Sequence, residues 1–221
     1  MSNLQSYFVA GPENLLSHHI SKNEKPDKAL VRLVSELAEN GLDVFQLRAK
    51  SMQETEMIDL IKDLRSATSN TKIKLCINDN VNVASKCNGL IHILHLGQSD
   101  MDPNEAKKLI DQSIEIGLSI TNEHQLDNVP NCVSYLGVGP IFPTGSKSDA
   151  SVPIGLNRLN EIIKKTDFPV VAIGGISIND VYDMFQIGVS GVAVISAILN
   201  EKNPIENFNK IKENIIKGLE K

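Results

Sequence analysis

Eight short β-branched runs, amphipathic stretches between them, and a length of 221 residues without a composition break predict an α/β fold, a single-domain (β/α)8 or TIM barrel. The strand runs are "SYFVA" from Ser6, "DVFQLRA" from Asp43, "IKLCIN" from Ile73, "GLIHILHLG" from Gly89, "EIGLSI" from Glu115, "VSYLGVG" from Val133, "FPVVAIGG" from Phe168 and "GVAVISA" from Gly191. Helical spacing of apolar residues marks Lys28–Asn40, Met52–Ala67, Pro103–Ser113, Leu156–Lys165, Ile178–Ile187 and Pro204–Leu219. Pro103 and Pro204 suit first helical turns, where a missing N–H costs no hydrogen bond. The third and fifth connections carry weaker helical patterns. Strand-helix alternation implies parallel strands joined by right-handed crossovers, with an open doubly wound sheet as the architectural alternative.

Composition narrows the function classes. With 41% hydrophobic and 22% charged residues the chain is that of a well-cored globular protein. A net charge of −5 offers no long-range attraction to nucleic acid or to an anionic membrane, so any anion site must be a local concentration of positive charge. No apolar run approaches the roughly 20 residues of a membrane span, and the N-terminus lacks the pattern of a secretory signal, so a cytoplasmic protein is expected. Cys76, Cys87 and Cys132 have no metal-ligand spacing and are odd in number, which points to reduced thiols.

In a barrel of this class, chemistry sits where strands end and the following loops begin. In "VFQLRAK" the alternation of faces groups Gln46, Arg48 and Lys50, and two cations on an inward face call for an anionic ligand unless the strand end is simply solvated. Asn78 and Asp79 end the third strand; Gly97, Gln98 and Asp100 end the fourth. Adjacent strands lie about 4.8 Å apart, so Asp79 and Asp100 can share one cation, and two carboxylates completed by substrate phosphates and water suit Mg2+. Asn-Asp is also an ordinary turn pair. Gly174 and Gly175 after the seventh strand and Ser196 after the eighth fall where such barrels bind phosphate, although a tight turn alone also explains paired glycines. His18 and His19 do not converge on a helix, and His92 and His95 fit packing or local hydrogen bonding. No nucleophile-base-acid trio can be assembled. The segment "GVGPIFPTGSKSDASVPIGL", Gly137 to Leu156, is long for a connection, and such loops are usually functional or disordered.

Taken in order, "QLRAK", "IND", "HLGQSD", "GLS", "GVGPIFPTGSKSDA", "AIGGI" and "VIS" resemble the thiamine phosphate synthase family over essentially the whole chain from Tyr7. The resemblance implies a reaction that joins a hydroxymethylpyrimidine diphosphate to a thiazole phosphate, carboxylated or not, and releases pyrophosphate. It implies that Gln46, Arg48, Lys50 and Asn78 hold the pyrimidine diphosphate and that Asp79 and Asp100 ligate Mg2+. Ser119 and Lys147 would complete that site, and Thr144, Ser146, Gly175, Ile195 and Ser196 would take the thiazole phosphate. Arg48, Lys50, Ser119 and Lys147 would be the catalytic set, in a dissociative substitution without a covalent enzyme intermediate.

On this reading the long loop clamps two anions, the partners are small phosphorylated heterocycles, and a homo-oligomer is left open. The chain departs from the family pattern in three places. Ala49 replaces a common Glu on the face turned away from Gln46, Arg48 and Lys50. The segment before Gly97 is two residues longer. Thr121 replaces a histidine on which the related thiazole tautomerase relies. That isomerase and a non-catalytic barrel binding phosphorylated ligands are the competing functions; Thr121 disfavours the first, and the pair Asp79 and Asp100 with Arg48 and Lys147 disfavours the second.

Overall fold

The computed structural model describes residues 3–145, 152–200 and 203–220. Eight parallel strands close on themselves in sequence order: β1 (Ser6–Ala10), β2 (Val44–Leu47), β3 (Lys74–Asn78), β4 (Ile93–Leu96), β5 (Glu115–Ile120), β6 (Val133–Val138), β7 (Val170–Ile173) and β8 (Gly191–Val194). Closure is made by β1 pairing with β8, Tyr7 opposite Ala193. The open-sheet alternative is thereby excluded. One ladder is irregular, that of β5 with β6, where the register shifts between Ile116 and Gly117.

The crossovers are α1 (Pro26–Glu39), α2 (Glu54–Ala67), α3 (Val81–Lys86), α4 (Pro103–Leu109), α5 (Gly155–Lys164), α6 (Val181–Ile187), α7 (Ser196–Leu199) and α8 (Pro204–Leu219). The weak helical patterns correspond to the six-residue α3 and to a 3-10 run, Glu123–Asn128, in the fifth connection. Helix starts follow local capping. Pro26 opens α1 two residues before the apolar periodicity begins, and the Asp102 side chain accepts from the Asn104 and Glu105 amides at the start of α4. The stretch Ile178–Ile187 divides into a 3-10 turn, Ile178–Asp180, followed by α6.

Alternation along each strand separates two cores. Phe8, Phe45, Leu47, Leu75, Ile77, Leu94, Leu136 and Val192 point outward and pack under helices, with the Phe8 and Phe45 rings 5.6 Å apart. The smaller inner core holds Leu4, Tyr7, Val9, Val44, Cys76, Ile93, Tyr135, Val171 and Ala193. Ala49 is buried in the outer core, on the side away from the mouth.

The chain enters β4 through a tight turn. Leu90 and Ile91 both donate to the Cys87 carbonyl in a turn through Gly89, and the β3–β4 ladder runs from Cys76 opposite Ile93 without a bulge. The upper end of β4 is therefore undisturbed. Among the described residues, no helix is long and apolar enough to cross a membrane.

Candidate active site

A cavity of about 400 Å³ opens at the C-terminal ends of the strands. Arg48, Lys50, Asn78, Asp79, Asp100, Ser119, Thr144, Gly175, Ile195 and Ser196 all line it. Gln46 lies one inward position deeper on β2, 3% exposed, with Nε2 2.9 Å from the Tyr7 phenol oxygen. Ser146 and Lys147 lie outside the described residues.

The carboxylate pair is built by two loop geometries. Asp79 takes a left-handed conformation (φ 62°), which Asp tolerates better than most residues, and its amide donates to the His95 carbonyl at 2.8 Å. Asp100 folds back so that its Oδ2 accepts from the Gly97 amide at 2.6 Å. A Cβ at Gly97 would stand 2.9 Å from that oxygen. Burial, reinforced by hydrogen bonding and repulsion from Asp100, pushes the Asp79 carboxyl up to about 6; Asn78 and Lys50 oppose the shift. Two carboxylates held against each other in a cavity fit a divalent cation. No group of three or more His, Cys, Asp and Glu side chains converges among the described residues, so waters and substrate oxygens would complete its shell.

On the opposite side the loop after β6 is stitched to β7. The Ile141 and Phe142 amides donate to the Ile173 and Gly174 carbonyls, and Ile154 and Gly155 return to donate to Pro140 and Ile141. The paired glycines are required by this contact. Both have positive φ (96° and 70°), and a Cβ would come 2.5 Å from Pro140 at Gly174 or 2.7 Å from the Phe142 carbonyl oxygen at Gly175. Left-handed backbone and the close approach of the neighbouring loop both call for glycine here, and both glycines also line the cavity. Ser196 opens α7, a turn of four residues.

Thr121 lines the cavity where the tautomerase pattern has histidine. Its amide and hydroxyl donate to Gln125 Oε1 at 2.7 and 3.3 Å. Gln98 is fixed by a 2.7 Å bond from Nε2 to the Ser119 carbonyl. His92 has the local role expected of it, accepting from the Leu75 amide at Nδ1. His95 is more involved: its ring nitrogens lie 2.9 Å from the Tyr135 phenol oxygen and 3.0 Å from Ser119 Oγ. Alternation from Ile93 places His95 on the inward face, the one sequence signal that could have singled it out.

A family model described as thiamine monophosphate synthase matches residues 18–198. The thiamine-phosphate synthase of Lactococcus lactis subsp. lactis (strain IL1403) is 33% identical over 216 residues, covering 96% of each chain. That of Methanobrevibacter smithii is 32% identical, covering 88% of this chain and 92% of its own. Among solved structures, thiamine phosphate pyrophosphorylase from Pyrococcus furiosus superposes with a TM-score of 0.81 at 28% identity, over 99% of this chain and 98% of that one. With a match across most of its length and relatives above 30% identity, the chain belongs to the thiamine monophosphate synthase family.

Proposed function

We propose that the barrel mouth is the active site of a thiamine-phosphate synthase. This transferase joins 4-amino-2-methyl-5-(diphosphooxymethyl)pyrimidine to 4-methyl-5-(2-phosphooxyethyl)thiazole, or its carboxylated form, giving thiamine phosphate and pyrophosphate. The observation that carries the reading is the meeting, in one cavity, of Asp79 and Asp100 with Arg48 and Lys50. A diphosphate satisfies both pairs, directly through the cations and through a shared metal at the carboxylates. Mg2+ held by Asp79 and Asp100 would supply charge compensation for the diphosphate.

In the proposed reaction the methylene C–O bond breaks with its electron pair going to the diphosphate, and the thiazole nitrogen supplies the pair for the new C–N bond. Arg48, Lys50 and Lys147 stabilise the negative charge on the leaving group. Asn78 orients the pyrimidine and Ser119 contacts it, Gln46 supports the site from beneath through its bond to Tyr7, and Thr144, Ser146, Gly175, Ile195 and Ser196 seat the thiazole phosphate. No proton has to be moved by a side chain, in keeping with a cavity lined, among the described residues, without histidine. The hydrogen-bonded threonine at 121 argues against a tautomerase. Small phosphorylated heterocycles are the partners in this reading, and the free thiols of Cys76, Cys87 and Cys132 accord with a cytoplasmic setting.

The test is to supply the protein with both heterocycles and follow thiamine phosphate and pyrophosphate, with and without Mg2+. Equimolar, metal-dependent products are expected. Binding of both ligands without metal-dependent product would instead identify a non-catalytic binder.

A further inference from the structure

Beneath the mouth, the polar side chains of the barrel interior join into one chain. Gln46 Nε2 lies 2.9 Å from the Tyr7 phenol oxygen, which lies 2.9 Å from that of Tyr135. Tyr135 in turn is 2.9 Å from His95 Nδ1, and His95 Nε2 is 3.0 Å from Ser119 Oγ. The space for this chain is cleared by two interior glycines. A Cβ on Gly117 would stand 2.3 Å from the Tyr135 ring and 2.5 Å from His95 Nδ1, and one on Gly137 would stand 2.8 Å from the His95 ring.

The proton on each bond follows from the donor end. An amide nitrogen only donates, so Gln46 gives a proton to Tyr7. The other neighbour of Nε2 is Cys76 Sγ at 3.5 Å, whose own proton points to the Ile77 carbonyl, leaving sulfur as an acceptor. Burial pushes that thiol up to about 12, so it stays protonated. Both phenols are likewise held neutral by burial, each well above its ordinary range. A phenol has one proton to give: Tyr7 has the Tyr135 oxygen and the Cys76 sulfur beside it, and oxygen at 2.9 Å is the stronger acceptor, so Tyr7 passes its proton to Tyr135, and Tyr135 passes its own to Nδ1. An imidazole that accepts at Nδ1 carries its proton on Nε2 and donates it to Ser119 Oγ. The hydroxyl proton of Ser119 then has the cavity as its direction, and Ser119 lines that cavity.

We propose that His95 is a positioning residue. Held in its Nε2-protonated form by Tyr135, Tyr7 and Gln46, it turns the Ser119 hydroxyl outward as a hydrogen-bond donor to an acceptor atom of the bound pyrimidine. The substrate contact rests on the function proposed above; the proton placement does not. The chain also joins Gln46 to Ser119, so two residues from distant strands are set by one network.

Nitrogen-15 NMR of the full chain, with His95 assigned by loss of its signal in His95→Gln, reads the proton directly. Nε2 protonated and Nδ1 of unprotonated type is the expected result, lost or mixed in Tyr135→Phe. In kinetics, His95→Gln should lower kcat/KM by about tenfold in the parent chain and by less than about twofold on a Ser119→Ala background, since the two act through one bond. A proton resting on Nδ1, or an equal loss in both backgrounds, would overturn the proposal. If His95→Gln does not fold, Tyr135→Phe, which keeps the ring, carries the same comparison. Absence of product from the parent chain with the proton on Nε2 would overturn the functional reading while confirming the hydrogen-bond direction.

Discussion

The two cores of the barrel differ in kind. The outer core, between strands and helices, is aliphatic and aromatic, and its contacts are satisfied by shape alone. The inner core mixes Val9, Val44, Ile93 and Val171 with two tyrosines and a cysteine, and continues upward through His95 and Ser119 into the cavity. In the outer core, side chains can be exchanged for others of similar volume. In the inner core, the direction of each hydrogen bond depends on the next, so identity matters as well as volume. Stability and chemistry are thus largely stored in different layers of the same eight strands.

This division can be broken by substitution. Phe45→Ala, which empties an outer-core site that is fully buried, should cost about 3–5 kcal/mol in urea unfolding while the folded fraction keeps its specific activity. Loss of activity with stability intact would contradict the separation. Asp79→Asn should act the other way. Turnover should fall by about 100-fold or more, by removal of a charged group from the reaction site, while the melting temperature holds or rises because a carboxylate no longer faces Asp100 in a buried setting. A melting temperature that falls in step with turnover would mean that the pair is structural.

Gly137→Ala probes the boundary between the layers. The added methyl group meets the His95 ring, and overpacking of this kind costs about 1–3 kcal/mol. Its effect on kcat/KM should exceed what the unfolded fraction explains, as measured by activity normalised to folded protein. The smallest effect belongs to the surface. Glu24 is held down to about 2, first by its hydrogen bond from Arg32 and then by the Ser21 amide. A carboxylate whose folded pKa lies below its unfolded value stabilises above the unfolded pKa, and that contribution disappears as pH falls through the folded one. The melting difference between the parent chain and Glu24→Gln should therefore be small, present above the ordinary value of 4.5, and gone near pH 2. A difference that grows on acidification would reverse the sign.

Much of this arrangement was legible in the sequence because it depends on period. Alternation and helical spacing gave all eight strands, and strand ends located Arg48, Asn78, Asp79 and Asp100, which meet in one cavity with Ser119, a residue that only the family resemblance singled out. Alternation gives the face of a strand, however, and not the height along it. Gln46 was grouped with Arg48, yet it lies two residues, or about 6–7 Å, deeper and bonds to Tyr7. Contacts across the barrel axis leave no local signal either. Tyr7 and Tyr135 are 128 positions apart and meet only because β1 and β6 enclose the same interior. The paired glycines were ambiguous for a related reason. Their crowding by Pro140 and Phe142 comes from a neighbouring loop, which no spacing within "AIGGI" reveals.

The turn through Gly89 before β4 gives the molecule a port for engineering. Gly89 is exposed with φ 74°, a Cβ built there meets nothing within 4 Å, and the ladder above it is in register. Foreign sequence spliced at this point would emerge from the end of the barrel opposite the mouth, where a tag, a reporter or a second enzyme could be carried without disturbing the catalytic rim.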